Sequence, residues 1–184
     1  MPDPMVWTVP ANGGESIVET YGFRTDILPG YDASEQRVRL RSLALESLEF
    51  AIEAQEAREA QLATSTIFAG QHEVIVLPWW QYGSRLMGAV GIGDQLLPIG
   101  DAQDVPYRVG GDAVVWRDPF TWELFEVDSV SGAGVATVDL ATIAWASGSA
   151  LVYPARRVRL PDKVALSRIT SRVLSGRVRY TAET

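Results

Sequence analysis

The sequence predicts a mainly β protein with one α-helix, its core domain interrupted by a β insert. Three observations carry that prediction. Short runs alternate apolar and polar residues along most of the chain. One stretch before the C-terminal part has the texture of a helix. Ten of the sixteen glycines fall between Gly83 and Gly148, where they punctuate a series of short β-type runs. At 184 residues the chain suits one domain carrying an insert.

Taken in order, residues 1–15 hold three prolines and two glycines and are expected to form an arm or edge segment. "SIVETYGFRTDIL" alternates as a strand, with Ile17, Glu19 and Tyr21 on one side, and "PGYDAS" forms a loop. "EQRVRLRSL" places arginines on one strand face and Val38 and Leu40 on the other. "ESLEFAIEA" repeats the pattern, with Leu48, Phe50 and Ile52 facing inward. "QEAREAQLATSTIFAG" has high helix propensity, and Gly70 sits where a C-terminal cap belongs. "HEVIVLPWWQYG" returns to strand. The runs "RLMGAV", "DQLLPI", "DAVVWRD", "WELFEVDSV" and "GVATVDL" then predict a small β-barrel over about 84–151. "SALVYPARRVRL" leads out of it, 164–173 reads as a short helix or a strand, and "RVRYTA" after Gly176 is a final strand. The core domain is therefore 1–83 with 152–184, and the insert 84–151.

Charge is unevenly placed. The net charge is -7, yet residues 151–184 carry eight basic side chains against Asp162 and Glu183, a balance of +6 that leaves -13 on the remainder. The overall sign argues against a general or sequence-specific nucleic-acid binder, while the polarity suits contact between parts of a molecule or between copies. No run of 18 apolar residues and no signal-peptide pattern occurs, so neither membrane insertion nor secretion is expected. Zero cysteines exclude disulfides and thiolate metal sites, and agree with assembly in a reducing cytoplasm.

Catalytic chemistry has little material. The single histidine, His72, has no second ligand at helical spacing and reads as a surface turn residue. With no cysteine, the common nucleophile–base pairs are nearly absent. "GAVGIGD" lacks the Lys-Ser/Thr ending of a phosphate loop and reads as turn glycines. Asp94, Asp101, Asp104 and Asp112 lack calcium-loop spacing and read as solvated loop charge. No cofactor or metal is expected. Trp116 and Trp122 flank "RDPF", a hairpin turn, where exposed rings would suit ligand stacking and core packing serves equally well.

The order of these features resembles a family of tail-tip proteins from long-tailed bacteriophages. The resemblance rests on "ETYGFRTDILPGYDASEQRVRLRSLALESLEFAIEA", a helix, "VIVLPWWQYGSRL" and "VYPARRVRLPDKVALSRITSRVLSGRVRY". Relatives introduce a strand with "YDG-[ST]-EQR…LR" and close the domain with "YPAR…L…LTS-V…-VRF". "YDASEQR" and "SRITSRVLSGRVRY" are the most specific parts, and the chain departs from the family at "ALES", where relatives often have Pro-Arg-Arg. The strand–helix–strand order is also similar to the ring-forming domain of distal tail proteins. That likeness implies a β-sandwich or split-barrel core of the tail-tube type, assembled as a ring (a hexamer or a trimer) around the tail channel. The implied partners are further copies, the tail tube protein, and hub and fibre proteins, and the implied location is the virion. The implied role is structural and not enzymatic.

A ring subunit needs polar, directional contacts, and arginine suits bidentate pairing with carboxylates. Arg37, Arg39 and Arg41 would then form one contact face. Arg168, Arg172, Arg177 and Arg179 would form another, with Glu46, Glu49, Glu53, Glu56 and Glu59 as candidate acidic partners. The competing expectations are a carbohydrate-binding adhesion module using Trp116 and Trp122, and an enzyme acting on cell-wall sugars or peptides through a carboxylate pair.

Overall fold

A computed structural model describes residues 4–22, 25–29, 35–39, 45–161, 164–168, 170 and 172–182, with backbone alone for 25–29 and 35–39. In chain order the elements are β1 (Val18–Gly22), β2 (Thr25–Pro29), β3 (Glu35–Arg39), β4 (Leu45–Ala54), α1 (Ala57–Gly70) and β5 (Ile75–Pro78). A 3-10 turn at Trp80–Tyr82 leads into β6 (Ser84–Arg85), β7 (Leu96–Leu97), β8 (Asp112–Asp118), β9 (Thr121–Ser131) and β10 (Gly134–Thr137). The chain closes with β11 (Leu151–Arg159), β12 (Leu166–Arg168) and β13 (Leu174–Ala182). The protein is mainly β with one α-helix among the described residues, as its alternating runs predict.

Eleven strands form one open antiparallel sheet with the path β1-β4-β13-β11-β8-β9-β10-β7, while β12 joins β13, and β5 and β6 join β11. β2 and β3 pair separately with each other. The single strand expected over 16–28 is therefore two strands in two sheets. Alternation marks both as strands but does not say that β1 pairs with β4 while β2 pairs with β3. Register on β4 is as read: Leu48, Phe50 and Ile52 are buried, and Glu53 on the opposite face is exposed. This face meets Trp7, Ile67, Ile75 and Tyr180 in the main core.

The helix ends differently from expectation. Gly70 is its last residue and Gln71 follows in a right-handed conformation, φ -72°, so no left-handed glycine caps it. Gly70 is needed for close approach instead. A Cβ there would lie 2.7 Å from Leu160 Cδ1 and 3.3 Å from Ile75 Cδ1. At the other end of the chain the final strand begins at Leu174 rather than Arg177, and residues 166–168 form a strand. The N-terminal segment lies along the edge of β5, where Val76 N–H donates to Met5 O and Trp7 N–H to Val76 O, each at 2.8 Å.

The insert has its own core, built on Leu86, Leu97, Ile99, Val115, Phe125 and Val135. It does not close into the expected barrel. One edge of β8 is taken by β11, a strand of the surrounding domain, so the insert strands continue the main sheet. β11 is shared on both edges. β8 pairs with residues 151–155 and β13 with 158–159 along one edge, and β6 and β5 occupy the other.

The two ends of the insert are adjacent, since Ser84 pairs with Val152 and Arg85 with Leu151. A short linker therefore spans the gap at modest entropic cost. Replacing residues 86–150 with a Gly/Ser linker is expected to leave a cooperatively folding core. Its melting temperature should fall, because Val76 and Ala155 lose the cover of Val114. Circular dichroism melts, with amide exchange on β4 and β13, check this. Loss of folding at every linker length would show that the core needs β8.

Candidate assembly surface

The +6 segment folds onto the acidic β4. Arg179 stands opposite Glu49 and Arg177 opposite Ala51, so both arginines share a face with Glu49 and Glu53. Arg177 is already engaged within the chain, by Glu15 at 3.1 Å and Glu49 at 3.4 Å, and Glu15 is the foremost cause of its raised pKa. All three side chains are exposed or half-exposed, so solvent screens these pairs and each carries little stability. Arg179 and Arg172 are exposed and have no ion pair among the described residues. Arg168 is exposed on β12, beside α1.

The other predicted arginines are placed by backbone alone. Arg37 and Arg39 lie in β3, in register with Ile27 and Thr25, and Arg41 is outside the described residues.

Trp116 and Trp122 face each other across the β8–β9 hairpin, whose "RDPF" turn is held by Phe120 N–H donating to Asp118 Oδ1 at 2.9 Å. Their fates differ. Trp116 packs edge-on against Trp80 and Tyr153, with centroids 5.6 and 6.4 Å away, and its indole donates to Thr8 O at 3.0 Å. Packing accounts for it. Trp122 is half-buried and lines an open cleft of about 640 Å³. Leu124, Leu140 and Ile143 supply the other apolar walls, and Asp112, Glu123, Glu126 and Asp139 the charge. Arg157 at its edge is tied bidentately to Asp112, at 3.0 and 3.3 Å. Glu123 is fully occupied, accepting from Thr142 N–H and Oγ1 and, at 3.0 Å, from Trp145 Nε1.

Two polar clusters escaped the sequence reading. Glu19 on the edge strand β1 accepts from Trp79 Nε1 and Gln81 Nε2 on one oxygen. Its other oxygen accepts from the hydroxyls of Tyr21, 3.0 Å, and Tyr82, 3.4 Å. Glu19 thus fastens the edge strand to the turn after β5. Desolvation of the hydroxyl, with Glu19 reinforcing it, lifts the Tyr21 pKa to about 12, although the residue is 55% exposed. In the second cluster Glu46 pairs with Arg108 from the insert and with the buried Arg156. Arg156 also donates to Pro106 O at 2.7 Å, so β4, β11 and the insert meet there. Burial lowers the Arg156 pKa and Glu46 partly offsets it. The sequence signal was the doublet Arg156–Arg157 in an otherwise buried strand, where adjacent positions must point to opposite faces.

Arg156→Met is expected to cost about 1.5–3 kcal/mol, the range for lost hydrogen bonds to a charged group. Glu46 keeps Arg108 as a partner, which holds the loss in that range. Urea denaturation checks it, and a loss below about 0.5 kcal/mol would show that the cluster adds nothing net.

His72 is exposed in the turn after α1, and Asp94 accepts from Gly91 N–H at 2.7 Å within the glycine-rich turn. Among the described residues no group of three or more acidic or histidine side chains is arranged to hold a metal ion. No helix among them is long and apolar enough to cross a membrane. The chain matches no protein-family model and no curated protein.

Proposed function

We propose that this chain is a structural, non-catalytic subunit of the tail tip or baseplate of a long-tailed bacteriophage. Its role is of the distal-tail type: it assembles with copies of itself into a ring, hexameric or trimeric, and joins the tail tube to hub or fibre proteins in the virion. One observation supports this reading above the others. The two segments that carry the family resemblance are far apart in the chain, yet their strands pair directly, β4 with β13 from Ala54↔Leu174 to Ser47↔Thr181. The resemblance therefore follows one interrupted structural unit rather than scattered strands. The uneven charge supports self-association as well.

The test is the protein's place in the particle. Mass spectrometry of purified virions, with electron microscopy of particles carrying a tag on the insert, is expected to find it in several copies at the distal end of the tail. Its absence from intact virions would overturn the reading. Reversing Arg168, Arg172, Arg177 and Arg179 together to Glu is expected to reduce incorporation of a folded subunit, because many weak pairs act jointly. Raised salt should reduce it further, since the Debye length falls to about 3 Å at 1 M.

The second reading, a carbohydrate-binding module of the tail, has Trp122 beside carboxylates in its favour. Unchanged host-surface binding by a Trp122→Ala variant would remove that support.

A further inference from the structure

Phe68 is an apolar ring turned mostly to solvent. It stands 65% exposed on α1 and shares an open groove with Gln61, Ser65 and Arg168. Arg168 is the charged side chain among the residues that line this groove. This face is apolar and basic. The cleft beside β9 has the opposite charge and the same apolar character. Trp122 and Leu124 wall it, Leu140 stands 57% exposed at its rim, and Glu126 and Asp139 add negative charge. Its one lining cation among the described residues, Arg157, is held by Asp112.

We infer that these two surfaces are the two halves of one contact between copies of the chain. Phe68 and Arg168 of one copy seat in the cleft of Trp122, Leu140, Glu126 and Asp139 of the next. Three points fix the occupant. No residue lines both surfaces, and the exposure of Phe68 shows that its own cleft does not cover it. An aromatic ring sharing its groove with an arginine matches an apolar cleft rimmed by carboxylates, in sign as well as in polarity. The chain's charge is divided in the same sense, +6 over residues 151–184 and -13 over the rest. A contact that joins two different surfaces is head-to-tail, so it propagates and closes as a ring or continues as a filament. This inference rests on the reading of the chain as a self-assembling subunit and names the surfaces that would meet.

The natural absence of cysteine makes a clean trap available. Single variants Phe68→Cys and Leu140→Cys, mixed in equal amounts and mildly oxidised, report only their own encounters. Random collision gives as much mixed disulfide as the two like disulfides combined. The expected result is a several-fold excess of the mixed species, lost when the Leu140→Cys chain also carries Glu126→Arg and Asp139→Arg. A random share, or predominance of the Phe68–Phe68 position disulfide, would overturn the inference. Particles assembled with the double variant Phe68→Cys/Leu140→Cys give a second measurement. A ladder of covalent multimers supports the contact, and monomer alone overturns it. The outcomes separate the two claims. A protein absent from virions that still forms the mixed disulfide keeps this contact and loses the phage assignment. A virion protein with a random share and no ladder keeps the assignment and loses the contact.

Discussion

Phe50→Ala is expected to lower stability by about 3–5 kcal/mol, the range for removing a large buried aromatic ring. The ring is 1% exposed, stacks on Tyr180 at 5.6 Å and 18°, and meets Trp7 edge-on at 6.4 Å. Tyr180 and Trp7 in turn contact each other at 5.4 Å, so the three rings brace one another. A cavity beside two rigid rings cannot collapse as one beside leucines does, which places the expected cost in the upper part of the range. The six tryptophans, Trp7 among them, give a composite fluorescence signal, and denaturant unfolding followed by it gives the loss. A change below about 1 kcal/mol would show that the rings repack. The neighbouring Glu49→Ala removes only an exposed pair with Arg177 and should leave the denaturation midpoint nearly unchanged.

Gly134→Ala is expected to be the most damaging small change in the insert, on the order of 3 kcal/mol from backbone strain and steric conflict together. Gly134 opens β10 at φ +138°, a conformation that side chains rarely adopt. A Cβ there would lie 2.1 Å from Leu97 O, so alanine must push β7 away from β10. Gly132 in the same turn has no such neighbour, so Gly132→Ala serves as the mild control. Thermal unfolding should separate the two variants, and exchange of the Leu97 and Val135 amides should rise selectively in Gly134→Ala. Equal melting of both would show that the turn adapts freely.

The elements most legible in the sequence were those whose signal is local. The register of β4 was readable because Leu48, Phe50 and Ile52 share the face of the main core and a slip of one position would reverse them. The strand itself begins one residue earlier than expected, at Leu45. The β8–β9 hairpin was readable because "RDPF" supplies its own turn chemistry, with Asp118 capping Phe120. Partner choice was not legible. Alternation over 16–28 marked strands but could not divide them between two sheets, and the glycine-rich insert could not announce that β8 pairs outside it. Gly70 looked like a cap because spacing along a helix does not reveal what packs on it. For the candidate surface, the sequence identified the basic C-terminal segment and Trp122. The Glu19 cluster and the Glu46–Arg156 pair lay beyond it, since each joins side chains that only the fold brings together.

The shared strand β11 sets how the molecule bears load. The insert and the surrounding domain grip opposite ends and both edges of the same backbone segment, with no free length of chain between them. A pull on the insert along the strand direction is resisted by the ladder bonds of β11 in shear, many at once. A pull across the sheet meets them in sequence, one pair after another, because antiparallel ladder bonds run perpendicular to the strands. The β11 ladder is therefore stiff along one axis and peelable along another. Force applied to the insert reaches β5 and β13 through the ladder bonds of β11.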